Sequence, residues 1–193
     1  APICNIALTI LGAARGALSR DPLAAAARSA KRMTAGLESA PRLIAEFGRV
    51  YLKGTAITFS ASSAVRGALL ENHDQITRVV IAKSSTSMEG LEQAEKLKQS
   101  GFIVDIIDES EVPNILDSID FGVIGASSYL GDGSVVNRRG TLALANAIVQ
   151  HDRPFYVFAD TLKLAPWTPD APITPGWEER QHDFTTTESQ NEG

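Results

Sequence analysis

At 193 residues the chain is long enough for one domain with a full core, with room for a helical appendage. Charged residues make up 21% and hydrophobic ones 44%, the balance of an ordinary globular protein. The net charge of -5 argues against a general nucleic-acid binder, whose phosphate contacts need a basic face.

A single cysteine, Cys4, excludes an internal disulfide framework and a cysteine zinc cluster. His73, His151 and His182 lack metal-ligand spacing, so no metal and no cofactor is assigned. No apolar run reaches the roughly 20 residues that span a bilayer, and the alanine-rich start lacks the charged flank and length of a signal peptide. A cytoplasmic protein without a membrane segment is the expectation.

In chain order, 3–17 reads as a short apolar helix with Ile6, Ile10 and Ala13 or Ala14 on one side, closed by Gly16 and the break at 19–22. A longer helix over 22–47 carries Ala26, Met33, Leu37, Leu43 and Ile44 on its apolar positions, with Pro41 expected to kink or divide it. From Thr55 the pattern becomes alternating strands and helices, which predicts a parallel sheet with crossover helices. Strands are read at 56–59, 78–82, 102–107, 121–124 and 154–158, and helices at 64–73, 88–99 and 142–149, with a helical turn at 112–116. In the 88–99 helix Leu91, Ala94 and Leu97 face inward and Glu92 pairs with Lys96 outside. The fold class is therefore α/β, a Rossmann-like open parallel sheet preceded by a short N-terminal helical region. Its expected divisions are 1–50 helical, 51–165 Rossmann-like, and 166–193 an extended tail. Four prolines (Pro166, Pro169, Pro172, Pro175) with Trp167 and Trp177 mark that tail as an arm whose tryptophans dock on this subunit or a partner.

Ligands of such sheets bind outside the carboxyl ends of the strands. The residues there are Ser60, Ser62 and Ser63, then 83–87 (Lys83 followed by hydroxyls), then Asp108, Glu109 and Glu111, then Ser127 and Ser128, then Asp160 and Lys163. A serine at a helix entry is ordinarily an N-cap; the series together also describes a hydroxyl-lined pocket for a phosphorylated small molecule. The stretch 124–141 is the densest of these sites. It turns through Asp132-Gly133, carries Arg138 and Arg139, and opens a helix at Thr141 after Gly140. Free N–H groups at a helix start bind anions, but the same residues also read as a solvated hairpin followed by a capped helix.

Three motifs carry a resemblance: Ala56-Ile-Thr-Phe-Ser-Ala-Ser-Ser-Ala-Val-Arg-Gly-Ala-Leu69; Gly125-Ala-Ser-Ser with Asp132-Gly-Ser-Val-Val-Asn-Arg-Arg-Gly-Thr141; and Arg153-Pro-Phe-Tyr-Val-Phe-Ala-Asp-Thr-Leu-Lys163. In order and spacing they resemble the translation initiation factor 2B alpha/beta/delta family, a superfamily that includes the ribose-1,5-bisphosphate and methylthioribose-1-phosphate isomerases. The resemblance covers about 22–165. It implies a phosphosugar or nucleotide pocket at the strand ends and dimers through the C-terminal half. Asn137, Gly140 and Thr141 match the family's phosphate loop, Arg138 stands where lysine is usual, Lys163 matches the lysine after the last strand, and Asp160 replaces a common glutamate.

The departures bear on function. The isomerase branches resemble one another in a cysteine after the first strand and an aspartate in the fourth-strand motif; Ser60 and Ser127 stand there instead. Serine is no proton acceptor near neutral pH without an activating base. Lys83 and Ser85 likewise replace an acidic and arginine pair. The reading is a non-catalytic, regulatory or assembly subunit that binds a sugar phosphate or nucleoside phosphate, as a homodimer or with a related subunit. The binding residues assigned are Ser60, Ser62, Ser63, Ser127, Asn137, Arg138, Gly140, Thr141, Asp160 and Lys163. Two alternatives stay open: a divergent sugar-phosphate isomerase with Asp108, Glu109 or Asp160 as base, and a scaffold without ligand.

Overall fold

Short apolar strands joined by helical crossovers leave each strand parallel to the next, and both faces of the resulting sheet must be covered. The computed structural model describes residues 21–83 and 88–165, together with Ile10 and Gly12. Its main sheet consists of β1 (Gly54–Phe59), β2 (Ile76–Lys83), β3 (Val104–Asp108), β4 (Phe121–Gly125) and β7 (Phe155–Phe158). Between β4 and β7 lies a small antiparallel hairpin of β5 (Ser128–Tyr129) and β6 (Val135–Val136). All pairings in the main sheet are parallel and the order is β3-β2-β1-β4-β7. This is the α/β, Rossmann-like fold that the alternation predicts.

Side chains alternate across each strand, so the sheet has two cores. On one face Ala56, Val79, Ile81, Phe121 and Val123 pack under helices α2 (Ser63–Glu71) and α3 (Glu89–Gln99) through Val65, Leu69, Ala94 and Leu97. On the other, Ile57, Val80 and Ile124 pack under Leu144 and Ile148 of helix α4 (Thr141–Gln150) and under Val112 and Leu116 of two 3₁₀ turns. The buried face of α3 is Gly90, Gln93, Ala94 and Leu97, while Leu91, expected inside, is only half-buried. Glu92 and Lys96 pair outside, as expected.

The long N-terminal helix is α1 (Pro22–Gly48), begun by Asp21, whose carboxylate accepts from Ala24 N at 3.0 Å. Two expectations for it are corrected. Pro41 does not divide it: the helix continues across the proline, which packs against α2 where Gly67 offers no side chain, an added Cβ there lying 3.2 Å from Pro41 Cβ. Tertiary contact thus offsets the lost backbone hydrogen bond. Leu37 and Leu43 are exposed rather than buried, while Ser29, Met33, Ala45 and Gly48 are the buried residues of the helix. The helix read at 3–17, the hydroxyls at 84–87 and the tail at 166–193 lie outside the described residues. No helix among the described residues is long and apolar enough to cross a membrane.

Candidate functional site

The strand order itself opens a crevice. From β1 the chain moves through β2 to β3 on one side, and from β4 it moves to β7 on the other, so the connections leaving the adjacent ends of β1 and β4 diverge. In that gap lies a cavity of about 310 Å³, lined by Phe59, Ala61, Ser62, Ser63, Gly125, Ala126, Ser127, Asn137, Arg138 and Lys163.

Each wall has a local cause. Ser62 caps α2, its hydroxyl accepting from Val65 N at 3.3 Å, which places Ser63 at the helix entry. Gly125 has to be small, since a Cβ there would lie 2.3 Å from Ser62 Oγ. The hairpin then carries the chain out and back: Asp132 accepts from Ser134 N at 2.9 Å around Gly133, and Ser127 N donates to Val136 O at 2.9 Å. Asn137 returns to β4, its amide donating to Gly125 O at 3.0 Å. Gly140 follows with φ +91° and begins α4, whose first-turn N–H groups have no intrahelical partners. The stretch 124–141 is thus a hairpin followed by a helix entry beside the crevice.

The structure brings Ser62, Ser63, Ser127, Asn137, Arg138 and Lys163 into one lining. It places the other four elsewhere. Ser60 is buried in a left-handed conformation (φ 57°) and donates its hydroxyl to Glu89 at 3.2 Å. Gly140 packs against Phe59 and Glu109. Thr141 does not cap the helix; its Oγ1 is buried with no hydrogen-bond partner among the described residues. Asp160 caps the 3₁₀ turn Thr161–Lys163, accepting from Leu162 N at 3.0 Å.

Charge at the site is uneven. Arg138 donates to Glu89 Oε1 at 2.7 Å, and Lys83 holds Asp108 at 2.7 Å, but the ammonium of Lys163 has no counter-ion among the described residues. Glu89 is the residue that sequence reasoning missed. Its signal was an acidic side chain in the first turn of the helix read at 88–99, directly beyond the second strand end. No group of three or more His, Cys, Asp or Glu side chains could hold a metal among the described residues.

These features define an α/β protein with a polar, cation-bearing crevice at its switch point. The chain belongs to the family described as the Initiation factor 2 subunit family, whose model matches residues 5–192. It is similar to a ribose 1,5-bisphosphate isomerase of Archaeoglobus fulgidus, at 30% identity over 73% of this chain and 46% of that protein. It is also similar to a putative translation initiation factor eIF-2B subunit 2-like protein of Pyrococcus abyssi, at 32% identity over 67% of this chain and 49% of that protein. The chain therefore spans about half the length of these relatives. Among solved structures, the translation initiation factor eIF-2B of Pyrococcus horikoshii superposes with a TM-score of 0.77 at 26% identity, covering 89% of this chain and 62% of that one. A tetrameric eIF2B-beta2-delta2 complex from C. thermophilum shares the fold, with a TM-score of 0.73 at 17% identity, covering 88% of this chain and 60% of that one.

Proposed function

We propose that the chain is a non-catalytic, initiation-factor-2B-like subunit that binds a sugar phosphate or nucleoside phosphate in the crevice between β1 and β4 and works as a homodimer or beside a related subunit. The observation that carries this reading is Lys163. An ammonium without a counter-ion among the described residues, in the same lining as Arg138, is a place for an anion, and the hydroxyls of Ser62 and Ser63 supply neutral donors around it. The partner is supported by family membership and by the tetrameric form of a fold relative.

The non-catalytic part rests on the acid and base. Ser60 and Ser127 stand where the isomerase branches carry cysteine and aspartate. Of the three carboxylates that could replace them, Asp108 is paired with Lys83, Asp160 caps a helical turn and Glu109 lies beside Gly140, and none of the three is in the lining of the cavity. The test is a thermal-shift screen against ribose and nucleoside mono- and bisphosphates, with Asn137→Ala/Lys163→Ala alongside. A ligand at roughly a hundred times its Kd adds about 2.7 kcal/mol, a shift of several degrees. Stabilisation of the wild type alone is the expected result, with the stabilising compound recovered unchanged by NMR. Turnover would move the chain to the isomerases, and no stabilisation by any compound would leave the scaffold reading.

A further inference from the structure

We propose that Glu89 is a positioning residue for the crevice, holding Arg138 ready for the ligand's phosphate, and that Ser60 is its anchor. This deepens the reading of the crevice as a phosphate site and rests on it.

Among the described residues the geometry is a bridge from Ser60 through Glu89 to Arg138. Glu89 is the first residue of α3, where a carboxylate is favoured by the helix's N-terminal dipole. Its Oε2 accepts from Ser60 Oγ at 3.2 Å and its Oε1 accepts from Arg138 Nη2 at 2.7 Å. The carboxylate thus ties the end of β1 to the loop before α4, two segments of the crevice wall that are far apart in the chain.

Ser60 fits the anchoring role better than a ligand-contacting one. It is 2% exposed, and its N–H donates to Ala82 O at 3.0 Å on β2. Its left-handed backbone is costly for a non-glycine residue. That conformation directs the hydroxyl to α3, while the neighbouring Phe59, Ala61 and Ser62 line the cavity. The strain thus has a structural use that the serine's position in the motif does not reveal.

Arg138 is where the bridge matters. Its side chain is half exposed, and a free arginine would give up many rotamers on gripping a phosphate. Glu89 moves that ordering from binding to folding. Among the described residues the guanidinium makes its side-chain hydrogen bond through Nη2 alone, so the rest of its N–H fork stays open to the ligand.

The test is a double-mutant cycle by isothermal titration of the full chain with ribose 5-phosphate and inorganic phosphate. The proteins are wild type, Glu89→Gln, Ser60→Ala, Arg138→Ala and the two double mutants with Arg138→Ala. Glu89→Gln and Ser60→Ala should each weaken binding roughly two- to tenfold, the cost of ordering one long side chain. Neither should weaken it further once Arg138 is alanine. Equal or tighter binding by Glu89→Gln, or losses that simply add to that of Arg138→Ala, would overturn the proposal. A purely structural role would lower the unliganded thermal midpoint without this dependence on Arg138. If Glu89→Gln does not fold, Ser60→Ala closes the same cycle. If the wild type binds neither probe, the phosphate-site reading fails and takes this proposal with it, an outcome distinct from failure of the cycle alone.

Discussion

Gly140 shows how closely the site depends on single residues. With φ +91° it occupies backbone space that side-chain-bearing residues adopt only with strain, and a Cβ there would lie 2.5 Å from Phe59 Cζ and 2.7 Å from Glu109 Oε2. Strain and overpacking each cost on the order of 1–3 kcal/mol. Gly140→Ala is therefore expected to destabilise the protein by at least about 2 kcal/mol, visible as a fall of several degrees in Tm. It should also disturb Phe59, a crevice wall, so that a phosphate ligand stabilises the variant less than the wild type. An unchanged Tm would mean that the loop moves aside freely and does not shape the crevice. At this scale the sequence was partly legible. Ser62 and Lys163 follow from their places after strands whose limits could be read, and Asn137 from its match to the family's loop. The Arg138 to Glu89 pair could not be, because it joins residues 49 apart and no local pattern encodes it. Ser60 was legible in position and illegible in direction, since its left-handed backbone turns the hydroxyl away from where the motif suggests.

Elements were read more fully than side chains, because hydrophobic periodicity fixes a strand or helix locally while packing fixes its exposure. The parallel strands and their crossover helices followed from period and punctuation. The unbroken helix across Pro41 and the exposure of Leu37 did not, because both depend on tertiary packing, the first on Gly67 of α2. What joins α1 to α2 is partly polar. Buried Asn72, the residue after α2, donates to Ala45 O at 3.0 Å and Ala68 O at 2.8 Å, and Arg49, just beyond α1, reaches both Asn72 and Asp74. The hydrogen bond from Arg49 holds the Asp74 carboxyl below its ordinary pKa. A carboxylate depressed in the folded state contributes stability above its unfolded pKa, near about 3.9, and loses it as pH falls through the lower folded value. Asp74→Asn should thus be less stable than wild type at neutral pH by a constant small margin, the pair being exposed. Thermal melts should show that margin unchanged down to about pH 5 and closing below about pH 4. A margin that persists in acid would assign the effect of the substitution to packing and not to charge.

For the molecule as a whole, charge is distributed in a way that bears on ligand capture. The acidic residues of the tail, Asp170, Glu178, Glu179, Asp183, Glu188 and Glu192, against Arg180 alone, account for the entire net charge of -5, so residues 1–165 are neutral overall. The crevice therefore presents Arg138 and Lys163 on a neutral body that is tethered to an acidic segment. Chain length bounds the separation: Asp170 is seven residues beyond Lys163, and at no more than about 3.6 Å per residue it lies within about 25 Å. The Debye length falls from about 30 Å near 0.01 M salt to about 3 Å near 1 M. At about 0.01 M salt the charge of Asp170 is thus expected to oppose a phosphate dianion at the crevice, and at about 1 M to be screened. Neutralising the tail with Asp170→Asn, Glu178→Gln, Glu179→Gln and Asp183→Asn should tighten binding of a phosphate ligand by a factor of about two at low salt, given the weak Coulomb energy at such distances in water. The two proteins should become indistinguishable near about 1 M salt, where screening is complete over that distance. Equal affinity at low salt would mean that these charges do not act on the bound phosphate, and a difference that survives high salt would mean that one of them contacts the ligand or the crevice directly.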